Sequence, residues 1–341
     1  MNVIVTGGAG FVGSTLVGKL LDWIDYNKYG IEECFPITDG VVTHLDLRDY
    51  RVVDKLVVVD SLVFNQNSLG QYMADDRFEF IHGDVTDFSL MKPLYEEADV
   101  IIPLSAIVGF PACAKHPELA WKINYKSVVE MLNYVGNNKL IVFPCTNSGY
   151  GVYPDGRYVT EEDPLNPISV YGKSKVAAEK EVLQNLGVSL RLATVMGWSY
   201  FMRVGLLVNT FCWQAARHRN IVLYQKQNKR NYIHVEDACQ AFLLAIEKYD
   251  QMKGQAYNVG LSTANINKEQ LAQKIAKYTE LHILEAPLME DPDRRDYLVS
   301  NAKIEALGFK PTWTLDATIK QLLKFYGSIS EHSANVYFGT T

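Results

Sequence analysis

Five short apolar runs, at 3–5, 56–59, 78–81, 100–104 and 140–143, punctuate the first half of the chain. As a set they are apolar on both faces, which predicts strands of a parallel sheet covered by helices on each side. Helical patterns at 12–24, 88–96, 119–135 and 174–185 fall between the runs and supply that cover. The alternation predicts an α/β fold, a Rossmann-type doubly wound parallel sheet.

Beyond 191–195 the pattern loosens into loops, a strand at 230–235 and helices near 237–248, 268–278 and 315–326. We expect residues 1–195 to form the nucleotide-binding domain and 196–330 to form mainly a smaller C-terminal substrate-binding lobe. The chain is expected to cross between the two more than once, and residues 331–341 to form a loose tail. One stretch departs from this plan: Asp60, the candidate ribose ligand, lies 47 residues beyond Gly13, where a dinucleotide fold has ~20. An insertion at 25–55 is therefore expected, with turns at Gly30, Pro36 and Gly40 and a strand-like alternation at 41–45.

Bulk composition narrows the field. The 341 residues carry a net charge of -6, which argues against a nucleic-acid partner. No apolar run approaches the ~20 residues of a membrane span, and the first strand begins too early for a leader, so a cytoplasmic location is expected. The five cysteines show no metal-ligand or paired spacing, so reduced thiols and no metal are expected.

The chemistry is concentrated in two motifs. Gly7-Gly8-Ala9-Gly10-Phe11-Val12-Gly13 follows the first strand and opens a helix, where glycines allow backbone N–H groups to approach a pyrophosphate. Asp60 ends the second strand, where a carboxylate can bind ribose hydroxyls and repel a 2′-phosphate, favouring NAD over NADP. Asp84 and Val85 close the third strand near the expected adenine edge, and Leu104, Ser105 and Ala106 follow the fourth with small side chains beside the cofactor. Each of these can equally cap a loop or fill space.

Downstream, Tyr171 and Lys175 stand four residues apart, one helical turn. A free tyrosine has a pKa of ~10. A lysine ammonium on the same face, with the nicotinamide charge, favours the phenolate and makes Tyr171 a base. Both are also expected to border the cofactor. Thr146, closing the fifth strand, can align the reacting hydroxyl; Ser148 is its rival.

These residues resemble the extended short-chain dehydrogenase/reductase superfamily, the nucleotide-sugar epimerases and dehydratases, from Val3 to about Phe325. The resemblance implies a nucleoside-diphosphate sugar oxidised at C4. It places Asn124 as a supporting residue at the cofactor, Arg230 on the diphosphate, and Arg294 or Arg295 in a second diphosphate contact. It also implies a homodimer. Two departures stand out. Where 4,6-dehydratases carry an Asp-Glu pair after the catalytic threonine, this chain has Asn147-Ser148, and Thr194 replaces a substrate-side asparagine, with Asn209 as a possible substitute. A narrower likeness, in 146–151, 191–195, 230–235, 254–258 and 295–301, is to the branch that oxidises GDP-manno-heptose at C4, so a GDP-sugar is favoured. A 4-epimerase is the alternative, and a non-catalytic NAD-binding scaffold a remote one.

Overall fold

The computed structural model describes residues 1–23, 52–153, 156–286 and 295–329. The expected insertion thus lies mostly outside the described residues, as do Arg294 and the C-terminal tail. The strands of the first half are β1 (Asn2–Thr6), β2 (Lys55–Asp60), β3 (Phe78–His82), β4 (Val100–Pro103), β5 (Leu140–Thr146) and β6 (Tyr158–Val159). Those of the second are β7 (Val188–Leu192), β8 (Thr194–Met196), β9 (Asn220–Leu223), β10 (Lys229–His234), β11 (Ala256–Val259), β12 (Asn265–Asn267), β13 (His282–Glu285) and β14 (Leu298–Val299).

Seven of them form one sheet in the order β11-β7-β5-β4-β1-β2-β3, every neighbouring pair parallel. The order reverses between β1 and β4, which opens a crevice at their carboxyl ends. Successive strand residues face opposite sides, and the apolar runs use both. Val3 and Val5 of β1 pack into the core under the helices Phe11–Leu21 and Val235–Glu247, whereas Ile4 enters the core under Phe88–Glu97, Ser127–Val135 and Val170–Gln184. Each such side chain, fully buried, contributes roughly 1.5–3 kcal/mol.

Helix starts follow local chemistry. The Asp87 carboxylate accepts from the N–H groups of Ser89 and Leu90, and the Ser169 hydroxyl from Gly172 N at 3.0 Å. The helix Phe11–Leu21 differs, opening at Gly10 with no side-chain cap. The stretch expected as one helix over 119–135 is Pro117–Trp121, a π-helical turn at Lys122–Lys126, then Ser127–Val135.

The smaller lobe holds a three-stranded sheet, β12-β10-β8, and parallel pairs β13-β9 and β14-β6. Its core gathers Phe211, Cys212, Tyr232, Leu271, Leu322 and their neighbours beneath the helices Leu207–His218, Lys268–Ala276 and Leu315–Ser328. No helix among the described residues is long and apolar enough to cross a membrane, and the four described cysteines are free.

A buried charge network fastens the helix Val170–Gln184 to the sheet. Glu179 meets Arg191 of β7 at 2.8 Å, both nearly inaccessible, and accepts from the Ser189 hydroxyl at 2.6 Å. Arg191 also donates to the Tyr150 hydroxyl at 2.9 Å, and Tyr150 donates to Asn258 of β11 at 2.8 Å. Glu179→Gln strands the guanidinium without a counter-charge, so equilibrium unfolding is expected to show a loss of about 3–5 kcal/mol.

Candidate active site

Three strand ends build the cofactor cradle. Gly7 turns at φ +72°, and a Cβ there would lie 2.6 Å from Ser105 N. Only glycine lets this backbone pass so close to Leu104-Ser105. At Gly13 a Cβ would lie 2.5 Å from Gly7 O, so the third glycine seats the helix on the loop. Gly10 brings no side-chain cap, so the first-turn N–H groups of the helix Phe11–Leu21 are given no acceptor by their N-cap. This cradle, which any Cβ would fill, fits a dinucleotide pyrophosphate.

Asp60 is buried at the end of β2; its Oδ2 accepts from Ala9 N at 3.0 Å and its Oδ1 from Leu62 N at 2.9 Å. Burial raises its pKa, while the Leu62 and Ala9 N–H groups oppose the rise. The carboxylate therefore braces the glycine turn. Asp84 is exposed and accepts from Thr86 N at 2.8 Å, a turn-forming contact, with Val85 half-buried beside it. Leu104, Ser105 and Ala106 lie half-buried past β4 at the point where the strand order reverses.

The opposite wall holds Asn124, Thr146, Tyr171 and Lys175. Asn124, placed by the π-helical turn, is fully buried. Its Oδ1 accepts from Ile107 N at 2.8 Å, and its Nδ2 donates to Ile107 O and Ser174 Oγ. It thereby ties the loop after β4 to the helix bearing Tyr171. Thr146 Oγ1 lies 2.9 Å from Ser148 Oγ and accepts from Ser148 N. A Cβ on Gly172 would lie 3.5 Å from Ser148 O, so this turn packs against the first turn of the same helix. Asn147 is buried with neither side-chain polar atom partnered.

Tyr171 is half-buried and Lys175 2% exposed. Burial holds the Tyr171 phenol well above its ordinary value; Cys145 adds to this, Arg203 pulls it down, and Cys113 and Arg295 act more weakly in the two directions. Burial also pushes Lys175 down to about 8 against the pull of Cys145 and Glu179, with Nζ 3.8 Å from the Phe143 ring centre. Arg230 of β10 and Arg295 both act on the buried Tyr232 phenol. Arg295 thus acts on both phenols, Tyr171 and Tyr232.

One residue sits differently from expectation. Asn209 is fully buried in the helix Leu207–His218, and its Nδ2 donates to Gly197 O and Arg203 O while its Oδ1 accepts from Gly197 N. Both N–H donors are thus engaged, so Asn209 braces the stretch 197–206 and offers no donor to a phosphate. Thr194 stands half-buried in β8. Arg203, which sequence reasoning missed, comes from an irregular stretch with no motif around it.

The model of the NAD dependent epimerase/dehydratase family matches residues 3–260, more than half of the chain. The chain belongs to that family. It is an NAD-dependent enzyme. The low-salt glycan biosynthesis protein Agl12 of Haloferax volcanii is 26% identical over 96% of this chain and 98% of that protein. The structure of a UDP-glucose 4-epimerase from Thermotoga maritima with UDP-glucose matches with a TM-score of 0.76 at 21% identity, over 96% of this chain and 98% of that one. A dTDP-glucose 4,6-dehydratase from Bacillus anthracis in complex with NAD matches with a TM-score of 0.73 at 20% identity, over 96% of each chain.

Two variants test this site. Gly7→Val forces a side chain between β1 and β4 and is expected to abolish NAD binding in calorimetry. In Lys175→Met the buried ammonium is gone, so the fold gains stability below pH 8, where the wild type holds a desolvated charge. As pH rises from about 8 to the ordinary lysine value, wild-type Lys175 loses its proton in the folded state first. The advantage of the variant therefore fades over that window, which urea unfolding at both ends can read.

Proposed function

We propose that this protein is a nucleotide-sugar 4-epimerase acting through a transient 4-keto sugar. The observation that carries it is the Thr146-Asn147-Ser148 turn packed against the helix of Tyr171 and Lys175, with no carboxylate in the turn. Oxidation at C4 has its base; elimination of water, which needs an acid and a base beside the sugar, lacks them there.

Thr146 aligns the C4 hydroxyl and Tyr171 takes its proton, with Lys175 favouring the phenolate. NAD, when bound, would supply a hydride acceptor and donor for C4, and with the sugar turned in the pocket the two transfers would meet opposite faces of that carbon. Tyr171 gives the proton back to the C4 oxygen. Arg230 and Arg295 hold the diphosphate, since guanidinium forks suit phosphate oxygens. An open cavity of about 520 Å³ beside them, bordered by Val152, Tyr224, Lys226, Glu285 and Asp296, has room for the nucleoside.

The relatives favour this reading over release of the ketone. The residue likeness to the GDP-manno-heptose branch keeps 4-dehydrogenation of that sugar as the rival. Mass-resolved product analysis with NAD and GDP-manno-heptose, GDP-mannose, UDP-glucose or UDP-glucuronate separates them. An epimer of unchanged mass is expected from one of these substrates. A product lighter by two hydrogens establishes the dehydrogenase and overturns the epimerase. Tyr171→Phe is expected to lower turnover at least a hundredfold, the scale of general-base catalysis, while leaving NAD binding intact.

A further inference from the structure

The end of β5 turns directly into a short helical turn, Asn147–Tyr150, that Thr146 itself caps. Ser148 N donates to Thr146 Oγ1 at 3.1 Å, and the two hydroxyl oxygens lie 2.9 Å apart. The turn is held tightly against the helix of Tyr171, since a Cβ on Gly149 would lie 2.9 Å from the Val176 side chain. A hydroxyl has one proton to give and two lone pairs to receive. Which of the two protons lies in the O···O contact therefore decides what Thr146 can offer to a bound molecule.

Burial fixes the direction. Ser148 is 4% exposed, and among the described residues Thr146 Oγ1 is the one hydrogen-bond partner of its hydroxyl. If Thr146 donated to Ser148, the Ser148 proton would be left inside the protein with no acceptor, the costlier arrangement. With Ser148 donating, Thr146 Oγ1 receives from both Ser148 N and Ser148 Oγ, and its lone pairs are filled. Its own proton, on a half-buried side chain, has no acceptor among the described residues.

We propose that Ser148 is a positioning residue for proton transfer, its hydroxyl holding Thr146 as a hydrogen-bond donor, and never an acceptor, to the oxygen on C4 of the sugar. This rests on Thr146 lying at the reacting oxygen, as in the function proposed above. A C4 oxygen that accepts from Thr146 cannot give its proton there, so that proton is left for Tyr171. On the way back the same donated hydrogen bond polarises the ketone oxygen. Without the Ser148 hydroxyl, a lone pair of Thr146 opens, and the C4 hydroxyl can turn its proton to the wrong partner. The sugar still binds, but a share of it binds in an unreactive orientation.

Neutron diffraction from crystals of the NAD-loaded protein exchanged into deuterium oxide reads the direction without a substrate. The Ser148 deuteron is expected on the line to Thr146 Oγ1 and the Thr146 deuteron off it. A Thr146 deuteron pointing at Ser148 Oγ overturns the proposal. Kinetics with UDP-glucose, UDP-glucuronate, GDP-mannose and GDP-manno-heptose then read the consequence. Ser148→Ala, which keeps the backbone donor, is expected to lower kcat roughly tenfold, the scale of one hydrogen bond, with KM unchanged, and Ser148→Thr to recover most of the loss. In a Thr146→Ala background Ser148→Ala is expected to cost nothing further. A further loss there, or a raised KM, puts Ser148 on the sugar itself and overturns its role through Thr146. An undiminished kcat in Ser148→Ala beside a slow Thr146→Ala overturns the role of Ser148 alone. An undiminished kcat in Thr146→Ala removes Thr146 from the reaction and the proposal with it.

Discussion

The near contact between the Gly7 turn and the Leu104-Ser105 backbone is the constraint on which the rest of the site depends. It joins the carboxyl ends of β1 and β4 at the one place where the strand order diverges. With no Cβ between them, the two strand ends share a floor narrow enough for backbone N–H groups to line it. Gly13 then lets the helix begin directly on that floor, and Asp60 pins the turn through Ala9 N. The cradle is consequently a rigid product of three strand ends, and its shape owes little to mobile side chains.

The wall that bears Asn124, Thr146, Tyr171 and Lys175 follows the opposite logic, because side chains rather than backbone set its arrangement. Asn124 sits where the helix loosens by one residue into a π-turn, a local irregularity that recurs at functional sites. That turn lets one side chain hold both Ile107 and Ser174. Lys175 is kept charged in an apolar setting by the Phe143 ring and by Glu179, which is itself balanced by Arg191.

The parts legible in the sequence were those encoded locally. The five apolar runs became β1 to β5; four of these strands are buried on both faces and need no knowledge of their partners, whereas β3, at the sheet edge, leaves Glu79 and His82 exposed. The glycine turn and the Tyr171–Lys175 spacing were legible because each is a contiguous geometric device. The helix of Tyr171 begins at Val170, earlier than 174, and the Ser169 cap was the signal for it. The pairs β13-β9 and β14-β6 were not legible, since strands of two to four residues joined across long separations leave no periodic trace. Arg203 was invisible for a related reason. Its meaning comes from the loop it reaches at Val108 O, whereas an arginine among aromatic residues in an irregular stretch has no pattern of its own. Asn209 was misread because a buried amide looks the same in sequence whether it faces a ligand or a neighbouring backbone.

The Glu179–Arg191 network also sets an order on the making of the protein. Tyr150, Glu179 and Arg191 leave the ribosome early, but Asn258, which accepts from Tyr150 and donates through its own amide to Ser300 O, comes much later. Until then β7 is an unpaired sheet edge, because its outer neighbour β11 has not been made. The nascent first lobe therefore carries a charged, half-finished margin during synthesis, when such edges are open to wrong pairing. Completion of the support under the helix of Tyr171 waits on a strand encoded partway through the second lobe, so a chain truncated before Asn258 would hold Thr146, Tyr171 and Lys175 without the amide that ties Tyr150 to β11.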